Sequence, residues 1–135
     1  MNRIYDLDLA ELTHHEQVGL LAFSPLAAGM LSGKYMNGQM PEGSRRTMNS
    51  NLGGRYVPSS EAVCNQYVTL ANEHGVDPSQ MALAFCLGRP FMSSAIIGAT
   101  SMEQLKNNLA STTLTLSEEL KAGIQEIYKA HPLPM

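Results

Sequence analysis

Apolar positions recur at helical spacing over most of this chain, and two short continuous apolar runs interrupt that pattern. Asp8, with Glu11 three residues later, has the spacing of a capping box and predicts a helix ending before Gly19. Val18 to Phe23 is a short apolar run stopped by Ser24-Pro25. A run bounded in this way suits a strand buried on both faces, although periodicity does not by itself separate it from a buried helix. A short helix is expected over Ala27 to Leu31. From Tyr35 to Pro58 the chain is rich in Gly, Asn, Ser, Pro and Arg without a sustained period, which predicts a long loop.

Ser59 or Ser60 is placed to cap the next helix, whose face carries Val63, Tyr67, Leu70 and Ala71 and which Gly75 ends. Asp77-Pro78-Ser79-Gln80 sets a cap, a first-turn proline and a glutamine in helical order. The segment that follows, Met81 to Leu87, is apolar nearly all round and should be buried, with Gly88-Arg89-Pro90 breaking it. Ser93 to Ile97 reads as a second strand closed by Gly98. Thr100-Ser101-Met102-Glu103 has capping-box spacing for a helix expected to bury Met102, Leu105 and Leu109. Ser117 caps a last helix with Leu120, Ile124, Ile127 and Tyr128 on one face. The chain thus offers two strands for five or six helices. Two strands cannot close a sheet, and strands buried on both faces need neighbours that these residues do not supply.

Composition sharpens that picture. Length 135 suits one compact domain, and the 44% hydrophobic fraction is ordinary for a globular chain. Charged residues make up only 16%, against roughly 25% in typical soluble domains, which points to surface covered by a partner or by further chain. The net charge is −3, and Arg45-Arg46 is the single adjacent basic pair, so a nucleic-acid surface is not expected. No apolar stretch approaches the roughly 18 residues of a membrane span. Met1 to Leu20 lacks a basic start followed by an apolar core, so neither a membrane nor a signal peptide is expected. The two cysteines, Cys64 and Cys86, fall in helical patterns and predict reduced thiols in the cytoplasm.

Most candidate chemistry fails on spacing. Gly29-Met30-Leu31-Ser32-Gly33-Lys34-Tyr35 superficially resembles a phosphate loop, but three residues separate its glycines and Tyr follows its lysine. No GxGxxG fingerprint occurs. His14 and His15 point about 100° apart on a helix and cannot share a metal ion, so no metal is expected. Ser24 has no nucleophile-elbow context.

Two longer segments stand above this background. They are Gly19-Leu20-Leu21-Ala22-Phe23-Ser24-Pro25-Leu26-Ala27-Ala28-Gly29-Met30-Leu31-Ser32-Gly33-Lys34-Tyr35 and Ile96-Ile97-Gly98-Ala99-Thr100-Ser101-Met102-Glu103-Gln104-Leu105-Lys106-Asn107-Asn108-Leu109. Together with the Pro41-Glu42-Gly43-Ser44-Arg45 loop, they resemble the aldo-keto reductase superfamily. The likeness is to the branch containing potassium-channel β subunits and their bacterial relatives; it runs over nearly the whole chain and implies that residues 1–135 are one C-terminal portion of such a domain.

That resemblance implies an α/β fold, the C-terminal part of a (β/α)8 TIM barrel left incomplete in this chain. It implies a reductase that binds NADPH, NADP(H) being the cofactor, across the C-terminal rim. On this pattern the two strands are the seventh and eighth, and Met1-Asn2-Arg3 follows the sixth. The family's catalytic Asp, Tyr, Lys and His lie near strands two to four, so no catalytic residue is expected here. Phe23 would stack on the nicotinamide ring, and Ser24, Leu26, Ala28 and Gly29 would line the pyrophosphate through backbone groups. Lys34 and Arg45 would pair with phosphates, Arg45 being suited to the 2′-phosphate because a guanidinium grips it with two prongs. Gly98, Thr100, Gln104, Asn107 and Asn108 would hold the adenosine end, with the helix start favouring an anion. Asn107 stands where the family usually has Glu. Read singly, Phe23 also fits a core aromatic, Lys34 and Arg45 fit solvated loop charges, and Gln104 with Asn108 fits an exposed helical stripe.

The resemblance therefore implies the cofactor-binding portion of a carbonyl reductase. Partners would be NADPH and, for a full-length protein, a small carbonyl substrate, and a homo-oligomer is left open. Two other readings stand beside it: a non-catalytic nucleotide-sensing or interaction module, and a truncated product without function.

Overall fold

The computed structural model describes residues 1–134. Strand β1 (Leu20–Phe23) lies parallel to β2 (Met92–Ile96), in a two-stranded sheet with no third strand among the described residues. The register runs from Leu20 opposite Met92 to Phe23 opposite Ile96, with one irregularity: Leu21 faces Ser94, so Ser93 is an extra residue on β2. Among the described residues six α-helices accompany this pair: α1 (Leu9–Glu16), α2 (Arg45–Met48), α3 (Pro58–Glu73), α4 (Pro78–Leu87), α5 (Met102–Ala110) and α6 (Glu118–Ala130). Short 3-10 segments occupy Ile4–Asp6, Ala27–Ser32 (kinked at Ala28 and Gly29), Met36–Gly38 and Ser111–Thr113.

The core forms where the apolar faces of α3, α4 and α6 meet the turn after β1. Val63, Tyr67 and Ala71 of α3 pack with Met81 of α4, Leu120 and Ile124 of α6, and Met30 and Leu31 of the turn. The helical spacing of these residues is what brings them onto one side. Asp77 caps α4 by accepting the Gln80 N–H at 3.0 Å, with Pro78 in its first turn. Ser117 caps α6 by accepting the Leu120 N–H at 3.2 Å. Gly75 takes a left-handed φ of 66° just past the end of α3, the conformation that turns the chain there. Cys64 is buried, Cys86 is half-buried, and both thiols are free.

Several expectations are corrected. The strands are not buried on both faces: no strand residue is fully buried, and Leu21, Phe23 and Ile96 are exposed. A parallel strand gains two-sided burial from flanking strands and covering helices, and here each strand has one flank. The predicted α5 face also fails. Met102 is 66% exposed and Leu109 53%, while Leu105 is half-buried; among the described residues α5 packs chiefly against α4, which leaves this face uncovered. The cap of α5 is Ser101 rather than Thr100, one residue later than the spacing suggests. Helix α3 starts at Pro58, so Ser60 lies inside its first turn. There the Ser60 hydroxyl accepts the Val57 N–H at 3.0 Å and donates to the Arg55 carbonyl at 2.6 Å. Asp8 makes no side-chain cap on α1. The expected 35–58 loop holds a 3-10 turn and the four-residue α2.

Candidate functional site

Parallel pairing decides where the site lies. Because Phe23 and Ile96 are partners at the last rung, the segments leaving both strands emerge side by side. Ligands of parallel α/β sheets bind at this carboxyl end, where the loops diverge. The segment after β1 carries Ser24 to Tyr35, and the segment after β2 carries Ile97 to Ser101. Two stretches remote in sequence thus share one rim.

Phe23 stands on this rim with 73% of its surface exposed, so it is no core residue. The next turn is unusually wound. Ser24, Ala27 and Ala28 have φ of 55°, 49° and 58°, and Gly29 follows at 94°. Left-handed backbone at non-glycine residues costs energy and persists only where surroundings impose it. Here the Ser24 hydroxyl accepts the Ala28 N–H at 3.1 Å and the Ser24 carbonyl accepts the Ala27 N–H at 2.9 Å. Buried Ala27, Met30 and Leu31 anchor the turn in the core. Leu26 and Ala28 are half-buried above it.

Lys34 crosses back over this turn. A Cβ on Gly29 would come within 3.0 Å of Lys34 Cε and 3.2 Å of its Nζ, so the glycine permits the close approach. The Lys34 ammonium also sits 5.1 Å from the Tyr35 ring centroid. Arg45 opens α2 and is exposed, whereas its neighbour Arg46 is buried. The Arg46 guanidinium lies 3.7 Å from the Tyr56 ring centroid and donates to the Gly38, Gln39 and Ser50 carbonyls. Among the described residues, no carboxylate pairs with Lys34, Arg45 or Arg46. Lys34 and exposed Arg45 are thus cations without a carboxylate partner among the described residues, in a chain that is acidic as a whole.

Across the rim, Gly98, Thr100 and Gln104 are exposed. The Gln104 side-chain oxygen accepts the Thr100 N–H at 3.1 Å and the Thr100 hydroxyl at 3.2 Å, which pins the start of α5. Asn107 and Asn108 lie differently. Asn107 donates to Asp77 at 3.0 Å and accepts from Gln80 at 2.6 Å, tying α5 to the cap of α4. Asn108 is 5% exposed, so Gln104 and Asn108 do not form an exposed stripe. The Arg46–Tyr56 stack leaves no mark in the sequence, because cation–aromatic pairing between loop residues has no fixed spacing.

A parallel pair whose outgoing segments share one end, within a chain of helices, is the architecture of part of a (β/α)8 barrel. The chain belongs to the aldo/keto reductase family, which it matches over residues 1–129. It is similar to protein tas of Escherichia coli strain K12, 42% identical over 134 residues that cover 99% of this chain and 39% of that protein. A putative voltage-gated potassium channel subunit beta of Schizosaccharomyces pombe is 35% identical over 136 residues, 96% of this chain and 39% of the relative. An L-glyceraldehyde 3-phosphate reductase of Escherichia coli O157:H7 is 37% identical over 133 residues, 93% of this chain and 38% of the relative. The chain spans about two fifths of the length of the curated relatives it matches.

Proposed function

We propose that these residues are the cofactor-binding portion of an NADPH-dependent carbonyl reductase. The observation that carries this reading is the parallel register, by which the segments after β1 and β2 leave the sheet at the same end. Phe23 offers an uncovered aromatic face to the nicotinamide ring, held at the end of a strand rather than on a loose loop. The turn from Ser24 to Gly29, with left-handed backbone at Ser24, Ala27, Ala28 and Gly29 and with Leu26 and Ala28 partly open, lines the pyrophosphate. Lys34 stands against that turn with its charge unpaired.

Arg45 takes the 2′-phosphate, where the planar guanidinium fork suits a phosphate better than an ammonium would. Gly98, Thr100 and Gln104 hold the adenosine end. Asn107 and Asn108 support α5 from behind instead of reaching outward, since one is committed to α4 and the other is buried. The nicotinamide supplies a hydride to a carbonyl carbon when it is bound. The protein's part here is to fix the cofactor and present one face of its ring; the proton donor belongs to another part of the whole enzyme, as do the substrate-shaping loops.

Isothermal titration of the 135-residue chain with NADPH and NADH tests this reading. Saturable binding that favours NADPH is expected, with the preference lost in Arg45→Ala. Addition of a reactive aldehyde should produce no sustained loss of NADPH absorbance. Absent binding, or turnover by the chain alone, would refute the assignment.

A further inference from the structure

Arg46 is an odd residue to find in the interior. It is 8% exposed, sits in the four-residue α2 and has no carboxylate partner among the described residues. Its charge is satisfied by carbonyls and rings. Nη1 donates to the Gly38 carbonyl at 3.2 Å and the Gln39 carbonyl at 2.8 Å, while Nε donates to the Ser50 carbonyl at 3.3 Å. The guanidinium carbon sits 3.7 Å from the Tyr56 ring centroid and 5.6 Å from that of Tyr35. One side chain therefore joins the turn at Met36–Gly38, the chain after α2 and the approach to α3. The Glu61 carboxylate adds a second fastening by accepting the Gly38 N–H at 2.8 Å.

The segment so fastened would otherwise be loose. It contains Gly38, Gly43, Gly53 and Gly54, all at positive φ, and its α-helix, α2, has only four residues. Ordering such a segment during binding would subtract from affinity, and ordering it beforehand removes that cost. Arg45 is the adjacent residue, exposed at the first position of α2 and, among the described residues, without a carboxylate partner. Consecutive helical residues point about 100° apart, so anchoring Arg46 inward fixes the direction in which Arg45 leaves the surface.

We propose that Arg46, stacked on Tyr56, is a positioning residue that holds Arg45 ready for the 2′-phosphate and so sets the preference for NADPH over NADH. This rests on the cofactor reading above. Lysine cannot replace Arg46 in this role. It keeps the charge but loses the planar stack and the fork that reaches three carbonyls. The expected effect is selective: NADH has no 2′-phosphate, so an Arg45 left disordered costs it little.

The test is a double-mutant cycle on the 135-residue chain, with NADPH and NADH affinities measured by titration calorimetry. Arg46→Lys should weaken NADPH binding about tenfold while NADH affinity stays within about threefold, tenfold being the scale of one charge-assisted contact. In an Arg45→Ala background, Arg46→Lys should have no further effect, because its influence passes through Arg45. Tyr56→Leu should reproduce the Arg46→Lys result and Tyr56→Phe should not, so the Tyr56 pair decides the matter even if Arg46→Lys fails to fold. Equal losses for both nucleotides, or additive losses with Arg45→Ala, would overturn the proposal and leave the cofactor reading intact. No NADPH preference in the unaltered chain, or none lost in Arg45→Ala, would overturn the cofactor reading and this inference with it.

Discussion

Phe23 and Ile96 face each other across the final rung of the parallel pair, and both side chains are more than half exposed. An apolar pair left uncovered at the carboxyl end of a sheet contributes little to stability where it stands. Phe23→Ala should therefore change unfolding free energy by no more than about 0.5 kcal/mol, as expected for exposed positions away from caps and cores. Nucleotide affinity should fall about tenfold, the scale of losing one stacked aromatic contact. Thermal melting and titration of the same sample separate the two effects. Unchanged affinity would remove Phe23 from the site.

Gly19 lies against Ser93, the extra residue of β2. A Cβ at position 19 would overlap the Ser93 hydroxyl and come within 2.9 Å of Ser93 Cβ, so a side chain here would force the two segments apart or Ser93 to move. Gly19→Ala should destabilise the chain by about 1–3 kcal/mol through overpacking. Adding Ser93→Gly should restore part of that loss. Urea denaturation of the single and double variants gives the answer.

Asp6 gathers two arginines on one carboxylate oxygen. Arg3 and Arg89 each approach Oδ2 at 2.9 Å, fastening the N-terminal turn to the end of α4. Arg3 is further held 4.1 Å from the Tyr128 ring centroid, and it donates to Gln125 on α6 at 3.0 Å. Asp6→Asn would leave two partly buried cations facing an uncharged amide, at a cost of about 1–3 kcal/mol in denaturant midpoint analysis. Because these groups keep some solvent contact, the loss should shrink in high salt.

Burial pushes the Cys64 thiol up to about 12 from its usual 9.0, with the nearby N-terminal ammonium opposing the shift. The buried Tyr67 hydroxyl likewise moves up to about 12 from 10.0. The folded chain thus keeps protons that the unfolded chain releases. Stability from these groups is full below pH about 9 and is lost as pH rises from there toward 12. Denaturation at a series of alkaline pH values should show that decline, and Cys64→Ser should make it shallower. At neutral pH, Cys64 should react with a thiol reagent only after unfolding.

Local chemistry makes much of the helical layer readable. Asp77-Pro78-Ser79-Gln80 forms the cap it spells, and Leu120 and Ile124 bury as their spacing requires. Both strands lie within a residue or two of where their apolar runs suggest, and they pair in parallel. The α5 face departs from expectation because amphipathic spacing shows which side is apolar but not whether anything covers it. Ser60 departs from its expected capping position because a serine near a helix start bonds equally well from inside the first turn.

The site divides along the same line. The residue types at the rim, an aromatic ending a strand, a turn of small residues and two cations after it, are properties of the chain alone. So is the family those residues announce, since it depends on residues in order. Folding decided which of them reach a common surface. It turned Asn107 onto Asp77 and Gln80, buried Asn108, and sent Arg46 inward against Tyr56 while Arg45 stayed in solvent. Spacing along a chain fixes the direction of a side chain only relative to its own helix or strand. What that side chain meets depends on packing between elements far apart in sequence, and the pairing of Phe23 with Ile96 is where that packing sets the rim.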